Sequence, residues 1–286
     1  MRVRLLAAVC LAAAISITSC RKARIHEHKD WGKFYEAYGI KNACIMIRDN
    51  NHEAVHYYNQ ERCMQRMLPA STFKIFNSLV ALETAVAPDE QYIVRWDSVK
   101  MQREECNKDM TMREAFRLSC INYYREIARR IGKAQMQHYL DTVKYGNMKM
   151  SAIDSFWVDN SLQVSADEQV GFVKRLYFNE LPFSERTQRI VRSMMLWEDE
   201  PGYKLYYKTG TGEIDGKYVY WIVGYSERIV KVKEPKESMN KSNERMYPYF
   251  FAQNFEMPVS DTTQDWFKVR LEVLHKVLKE ANAIPQ

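Results

Sequence analysis

The chain has 286 residues, is 46% hydrophobic and holds only 10 Gly and 8 Pro, enough apolar material for one large or two interleaved domains and the opposite of a disordered, low-complexity chain. Its formal net charge is +6, two units of it from Arg2 and Arg4, and the basic residues are scattered along the sequence. That pattern excludes the clustered footprint of a nucleic-acid binder.

Residues 1–20, MRVRLLAAVCLAAAISITSC, place a basic start before an apolar run too short to span a bilayer comfortably, which reads as an export signal. Ile17-Thr18-Ser19-Cys20 resembles the lipobox of bacterial lipoproteins. That resemblance implies a signal peptide over 1–19 and a periplasmic protein held to the membrane only by lipid on Cys20. Residues 20–30 are polar and read as a tether, and no later segment is apolar and long enough to span a bilayer. In an oxidising compartment Cys44, Cys63, Cys106 and Cys120 can pair. The sequence leaves all three connectivities open.

Residues 43–48 and 53–58 have strand composition, and Asp49-Asn50-Asn51 between them is turn chemistry, so a β-hairpin is expected. His52-Glu53-Ala54-Val55-His56 matches the H-E-x-x-H pattern of zinc proteases, but that motif chelates only from a helix. On a strand its two histidines stand roughly 13 Å apart. They are therefore expected as surface strand residues, and no other segment has metal-ligand spacing.

A helix is expected over 71–85, ended by Pro88. Thr111 and Glu114 have capping-box spacing and open helical segments reaching about 143, broken near Ser119 and Gly132. Ser165 and Glu168 open another helix to about 178, and a further one covers 184–198. Residues 203–208, 217–226 and 247–254 are rich in aromatic and β-branched side chains and read as antiparallel strands. The charged stretch 227–245 reads as an exposed loop or protruding hairpin. Phe267, Leu271, Leu274 and Leu278 mark the apolar face of a terminal helix. The fold class is therefore α/β (α+β), with a sheet domain of residues 31–75 and 158–286 around an inserted helical domain, 76–157.

The strongest chemical signal is Pro69-Ala70-Ser71-Thr72-Phe73-Lys74. On a helix, residues three apart share a face, and a serine hydroxyl becomes a good nucleophile when a neighbouring base takes its proton. Phe73, Ile75 and Phe76 give Lys74 an apolar setting, and desolvation disfavours its ammonium form. Lys208-Thr209-Gly210, followed by Thr211 and Gly212, joins a cation and a hydroxyl to an unhindered strand edge. Such an edge can pair with a peptide-like substrate while Lys208 and Thr209 hold its carboxylate. Ser119 falls in the break between two helices, where it can cap a helix or point into a cleft. Arg270 lies on the apolar stripe of the last helix, where a guanidinium needs either an anionic partner or an outlet to a cleft. S-x-x-K, a serine motif and K-T-G in that order are the element set of the penicillin-recognising serine enzymes.

From about residue 31 to 279 the sequence resembles the class D β-lactamases. PASTFKIF with NSLVALETAV resembles the family's nucleophile helix, Ser119-Cys120-Ile121 its S-x-V motif, Tyr145-Gly146-Asn147 its Y-G-N motif, and Phe156-Trp157 with Ser161-Leu162 its tryptophan segment. YYKTGTG and YWIVGY extend the likeness. The resemblance implies an antiparallel sheet flanked by helices with an inserted all-α domain, and a small-molecule β-lactam substrate. It implies that Ser71 is acylated and that Lys74 reacts with carbon dioxide, or bicarbonate as its source, to become an anionic base held by Trp157. Backbone N–H groups of Ser71 and Thr211 would form an oxyanion hole. Ser119 would relay a proton, Lys208, Thr209 and Gly210 would position the substrate, Arg270 would bind its carboxylate, and Ile121 and Val158 would cover the base. Neither metal nor nucleic acid is implied.

Three features depart from the family pattern: Ile121 in place of Val, the reactive residue type Cys120 beside the site, and a long 227–245 segment. A β-lactam sensor domain shares this fold and these motifs but acylates once and stays acylated. Sensors of that kind place several membrane spans and a cytoplasmic protease ahead of the sensor, where a leader peptide is read here. A cell-wall transpeptidase or carboxypeptidase is not expected to carry Trp157 or the Y-G-N motif.

Overall fold

The computed structural model describes residues 23–232 and 243–286. Its elements, in chain order, are β1 (Arg24–Glu27), α1 (Gly32–Glu36), β2 (Asn42–Asp49), β3 (Ala54–Tyr58), α2 (Gln60–Met64), α3 (Lys74–Glu83), β4 (Ile93–Val94), β5 (Met110–Thr111), α4 (Met112–Leu118), α5 (Ile121–Ile131), α6 (Lys133–Val143), α7 (Ala166–Tyr177), α8 (Glu185–Met195), β6 (Leu196–Glu200), β7 (Tyr203–Ile214), β8 (Lys217–Lys231), β9 (Glu244–Pro258) and α9 (Trp266–Glu280). Seven strands form one sheet in the order β1-β3-β2-β9-β8-β7-β6, so early and late strands meet at its centre. All its pairings are antiparallel except β1 with β3. The middle of β8 is buried at every position, as expected for a strand covered on both faces. Trp31, Tyr35, Val273 and Val277 close one face, and Phe76, Phe172, Val173 and Val191 belong to the larger core of the other.

Local chemistry sets the helix ends. Thr111 with Glu114 and Ser165 with Glu168 form reciprocal capping boxes that start α4 and α7. Gly132 separates α5 from α6 at a positive φ of 79°, a conformation glycine adopts without steric cost.

Several expectations are corrected. The second half of the stretch read as a tether is ordered: Arg24–Glu27 pair in parallel with β3, because the outer edge of β3 still offers hydrogen bonds to a neighbour. The signal peptide and Cys20 lie outside the described residues. The helix read over 184–198 ends at Met195, where the backbone turns extended and residues 196–200 pair with β7. Of the two forms expected for 227–245, the described part takes the paired strands of a hairpin, with β8 and β9 in register out to Lys231 and Glu244; residues 233–242 lie outside the described residues. The buried face of α9 is Trp266, Val269, Arg270, Val273, Leu274, Val277 and Leu278, whereas Phe267 is 59% exposed. Trp266 takes the place expected for Phe267 in the core.

His52 sits in the turn, its Nδ1 2.7 Å from Asp49 Oδ2. His56 is half-buried in β3, stacked against His26, with its Nδ1 2.9 Å from His28 Nε2. The H-E-x-x-H segment therefore runs through a turn into a strand rather than along a helix. Cys106 and Cys120 form a disulfide, and Cys44 and Cys63 are buried thiols. Cys120 is thus not the reactive thiol its residue type suggested. The bridge spans 14 positions, a loop whose closure stabilises a fold by about 3 kcal/mol in the chain-entropy account.

Candidate active site

Ser71 lies on a 3-10 turn, residues 70–73, that leads into α3. Ala70 before it is buried with φ at +47°, a left-handed conformation costing a non-glycine residue about 1–3 kcal/mol. Surrounding bonds hold it there. Ala70 N donates to Trp157 O at 3.0 Å, Thr72 Oγ1 to Pro69 O at 2.7 Å and Trp221 Nε1 to Leu68 O at 3.0 Å. Gln169 Nε2 donates to Thr72 Oγ1 at 3.0 Å, and Tyr145 Oη donates to Gln169 Oε1 at 3.2 Å. The Y-G-N tyrosine thus braces the nucleophile turn through a buried chain of hydrogen bonds.

Lys74 opens α3, and its Nζ is 2.6 Å from Ser71 Oγ. It is fully buried, with the Tyr124 ring 5.4 Å away. Desolvation, followed by the nearby Arg103 and Arg125 guanidiniums, pushes its pKa down to about 7. The amine is therefore placed and tuned to exchange a proton with the hydroxyl near neutrality. The Phe73 ring stacks on Trp157 at 5.2 Å, while Trp157 Nε1 is buried and has no acceptor among the described residues. A buried donor left unpaired costs about 1–3 kcal/mol, so this N–H suits an oxygen acceptor.

Strand alternation explains the K-T-G-T-G run. Even positions of β7 face the nucleophile turn and odd positions face the core under α9. A Cβ at Gly210 would lie 2.9 Å from Pro69 O and 3.1 Å from Thr72 N, so glycine lets the two backbones meet. Strand β6 pairs with β7 only as far as Tyr206. Beyond it, among the described residues, the outer edge of β7 has no strand neighbour, and this open edge runs beside Ser71.

Lys208 crosses to the other side of the site. Its Nζ donates to Ser119 Oγ at 2.9 Å and to Thr209 O at 3.0 Å. Burial first, then Lys74, Arg270 and Arg103, hold its pKa well below the usual lysine value. Ser119 ends α4 with φ at +60°, which aims its hydroxyl away from the helix.

A cleft of about 420 Å³ joins Ser71, Ser119, Thr209, Gly210, Thr211 and Arg270. Arg270 is 7% exposed, and its Nη1 donates to Gly210 O and Thr211 Oγ1, both at 3.1 Å. Burial lowers its pKa to about 10. Among the described residues no carboxylate pairs with it, so this buried cation faces the cleft without an internal counter-ion. Lys74, Trp157 and Lys208 lie buried beneath. Ile121 and Val158 are half-buried at the start of α5 and just after Trp157, and neither lines the cleft.

Sequence reasoning missed Arg103, Tyr218, Tyr220 and Phe267, which also line the cleft. Arg103 comes from an irregular loop with no motif of its own. The one available signal was Cys106, whose pairing with Cys120 ties that loop to Ser119. The tryptophan segment is pinned by the Y-G-N motif: Asn147 Nδ2 donates to Ser161 O at 2.8 Å, and Gln163 N donates to Asn147 Oδ1 at 3.1 Å. Gly146 has φ at +56°, and a Cβ there would lie 2.1 Å from Gln163 O. Only glycine fits that corner.

The family described as penicillin binding protein transpeptidase domain matches residues 41–245. The β-lactamase OXA-48 of Klebsiella pneumoniae is 34% identical over 286 residues, covering 100% of each chain. The crystal structure of the class D β-lactamase from Sebaldella termitidis is similar with a TM-score of 0.80 at 32% identity, covering 91% of this chain and 99% of that one. The C-terminal domain of the Bacillus licheniformis BlaR penicillin receptor gives 0.79 at 26% identity, covering 92% and 98%.

Proposed function

The chain belongs to the class D β-lactamases, and from that premise we propose that it hydrolyses β-lactams through a Ser71 acyl-enzyme with Lys74, N-carboxylated by carbon dioxide, as general base. It has the fold of the penicillin-recognising serine enzymes and is a hydrolase of β-lactam antibiotics. The observation that supports the proposed chemistry is a buried amine with a pKa of about 7, 2.6 Å from the Ser71 hydroxyl. The unpaired indole N–H of Trp157 fits the added group, because it offers a donor to an anionic oxygen. Carbon dioxide on that amine supplies an oxygen base stronger in charge than the amine itself.

In this reading Lys74 takes the proton of Ser71 Oγ as that oxygen bonds to the lactam carbonyl carbon. The backbone N–H groups of Ser71 and Thr211 receive the charge on the carbonyl oxygen. The lactam C–N bond then breaks, and Lys208 passes a proton through Ser119 to the departing nitrogen. The proton that Lys74 received replaces the one Lys208 gave, which frees Lys74 to take a proton from water as its oxygen bonds to the ester carbonyl carbon; Lys74 returns that proton to Ser71 Oγ as the ester C–O bond breaks. Arg270 holds the substrate carboxylate while Thr209 and the open edge of β7 align its amide. Ile121 and Val158 limit water around the base. Under the same reading residues 1–19 direct export, and Cys20 carries the lipid.

Arg270→Gln, which keeps a donor for Gly210 O, is expected to raise KM for a chromogenic cephalosporin roughly tenfold, with a smaller change in kcat. An unchanged KM would remove Arg270 from substrate binding.

The mechanism is tested by following turnover of that substrate with and without added bicarbonate, with acyl-enzyme monitored by mass spectrometry. Multiple turnovers faster with bicarbonate are expected. Below pH 7 the Lys74 amine is increasingly protonated and can neither accept a proton nor add carbon dioxide, so activity should fall roughly tenfold per unit. A single stoichiometric burst with a persistent adduct would instead mark a sensor, the behaviour in keeping with the likeness to the penicillin receptor.

A further inference from the structure

Ser119 must keep its hydroxyl on Lys208 while sitting in a backbone conformation that serine does not favour. Its φ of +60° belongs to a single residue between two helices, and rotation to an ordinary helical or extended conformation would swing Oγ off the ammonium 2.9 Å away. Helix α4 holds its backbone from one side only, through the left-handed turn that closes the helix. Ser119 N donates to Phe116 O at 3.2 Å and Cys120 N to Ala115 O at 2.9 Å, which finish α4. Helix α5, however, starts on Cys120 with no side-chain cap, at a position where Ser, Thr, Asp or Asn normally satisfies the first N–H groups.

Both neighbours of Ser119 are instead tied to one short segment. Leu118 O accepts from Arg103 Nη1 at 2.5 Å, and Cys120 is bonded to Cys106. Arg103 and Cys106 bracket the 3-10 turn Glu104–Cys106, and Glu105 Oε1 accepts from Arg103 Nη2 at 2.7 Å and Nε at 3.1 Å. Both sulfurs belong to buried residues.

We infer that Arg103 and the Cys106–Cys120 disulfide form a two-point clamp that positions Ser119 against Lys208 for proton delivery. The inference rests on the proposed role of Ser119 in acylation. Arg103 and the two cysteines act as positioning residues: the clamp fixes the residues before and after Ser119, so the serine cannot relax toward either helix. It acts on the proton leaving for the lactam nitrogen; the disulfide arm carries no charge to the Lys74 side, whereas the Arg103 guanidinium also disfavours the proton on Lys74. Formation of the bridge is linked to activity: two-electron reduction, adding two protons to give two thiols, releases one of the two points.

The experiment compares the wild type with Cys106→Ala/Cys120→Ala by stopped-flow hydrolysis of a chromogenic cephalosporin. Acylation and deacylation constants are resolved separately, and burst amplitude counts active sites. The expected result is an acylation constant at least tenfold lower per active site, with deacylation within twofold of wild type. A merely structural bridge would lower the melting temperature and the burst amplitude while leaving the per-site acylation constant unchanged, and that result would overturn the clamp. Should the double variant not fold, wild type reduced with dithiothreitol, its two new thiols verified by titration, gives the same comparison, and reoxidation should restore acylation. A second variant, Arg103→Met, keeps the disulfide and should slow acylation in the same direction; wild-type acylation by both single-point releases would also overturn the inference. A wild type that acylates but never turns over would defeat the hydrolytic mechanism while leaving the acylation comparison readable.

Discussion

Lys74→Ala should lower kcat/KM for β-lactams roughly a thousandfold, the scale of a lost general base acting on a serine nucleophile. The size follows from how alone this base is. Ser71 Oγ has Lys74 Nζ at 2.6 Å, whereas the other buried amine, Lys208, is bonded to Ser119 and Thr209 O. Truncation leaves, among the described residues, no second side chain in hydrogen-bond contact with the nucleophile. The fold should survive, because a buried lysine held neutral already carries a desolvation cost that alanine does not. The check is the acylation rate by stopped flow with adduct mass as a cross-check. Acylation at the wild-type rate would show that the 2.6 Å contact is incidental.

The two buried lysines are not independent: Lys74 follows desolvation among the causes that depress Lys208. With Lys74 neutral or carrying an anionic base, that repulsion vanishes or reverses, and Lys208 is freer to keep its proton. The same change that makes one lysine a base therefore makes the other a better acid. Environments that divide proton donor from acceptor in this way are how one site runs both half-steps at neutral pH.

Much of this arrangement was legible in short-range patterns. Ser71 and Lys74 are three apart, so any helical turn brings them together. The alternation of Lys208, Gly210 and Gly212 with Thr209 and Thr211 reads directly as a strand that shows glycines to one neighbour and hydroxyls to another. The hairpin at Asp49-Asn50-Asn51 and both capping boxes are likewise local chemistry, and all are present. What was not legible depends on contacts distant in sequence. Arg24–Glu27 looked like a tether because its partner is the edge of β3, which only the folded sheet supplies. The α9 stripe was misjudged at Phe267 because Trp266 competes for the same core and wins. Arg103 enters the cleft through a disulfide whose pairing the sequence left open among three choices. Leu196–Glu200 left the helical pattern because β7 offered an open edge.

Trp157→Phe should trap the acyl-enzyme. Phenylalanine keeps an aromatic ring to stack on Phe73, which now lies 5.2 Å from the indole and nearly parallel to it. It leaves the backbone carbonyl that accepts from Ala70 N at 3.0 Å. The group it removes is the buried Nε1–H, which has no partner among the protein atoms described. A hydrogen bond to a charged acceptor is worth about 1.5–3 kcal/mol, so losing it should weaken retention of the anionic base roughly 10- to 150-fold. Deacylation should suffer more than acylation, because it depends on activating water from a fixed position after the leaving group has gone. The adduct on Ser71 is then expected to accumulate in the mass spectrum under steady-state conditions, with kcat falling more than kcat/KM and high bicarbonate recovering part of the loss. Should Trp157→Phe turn over like the wild type at ambient bicarbonate, the indole N–H has no catalytic partner and the ring serves packing alone.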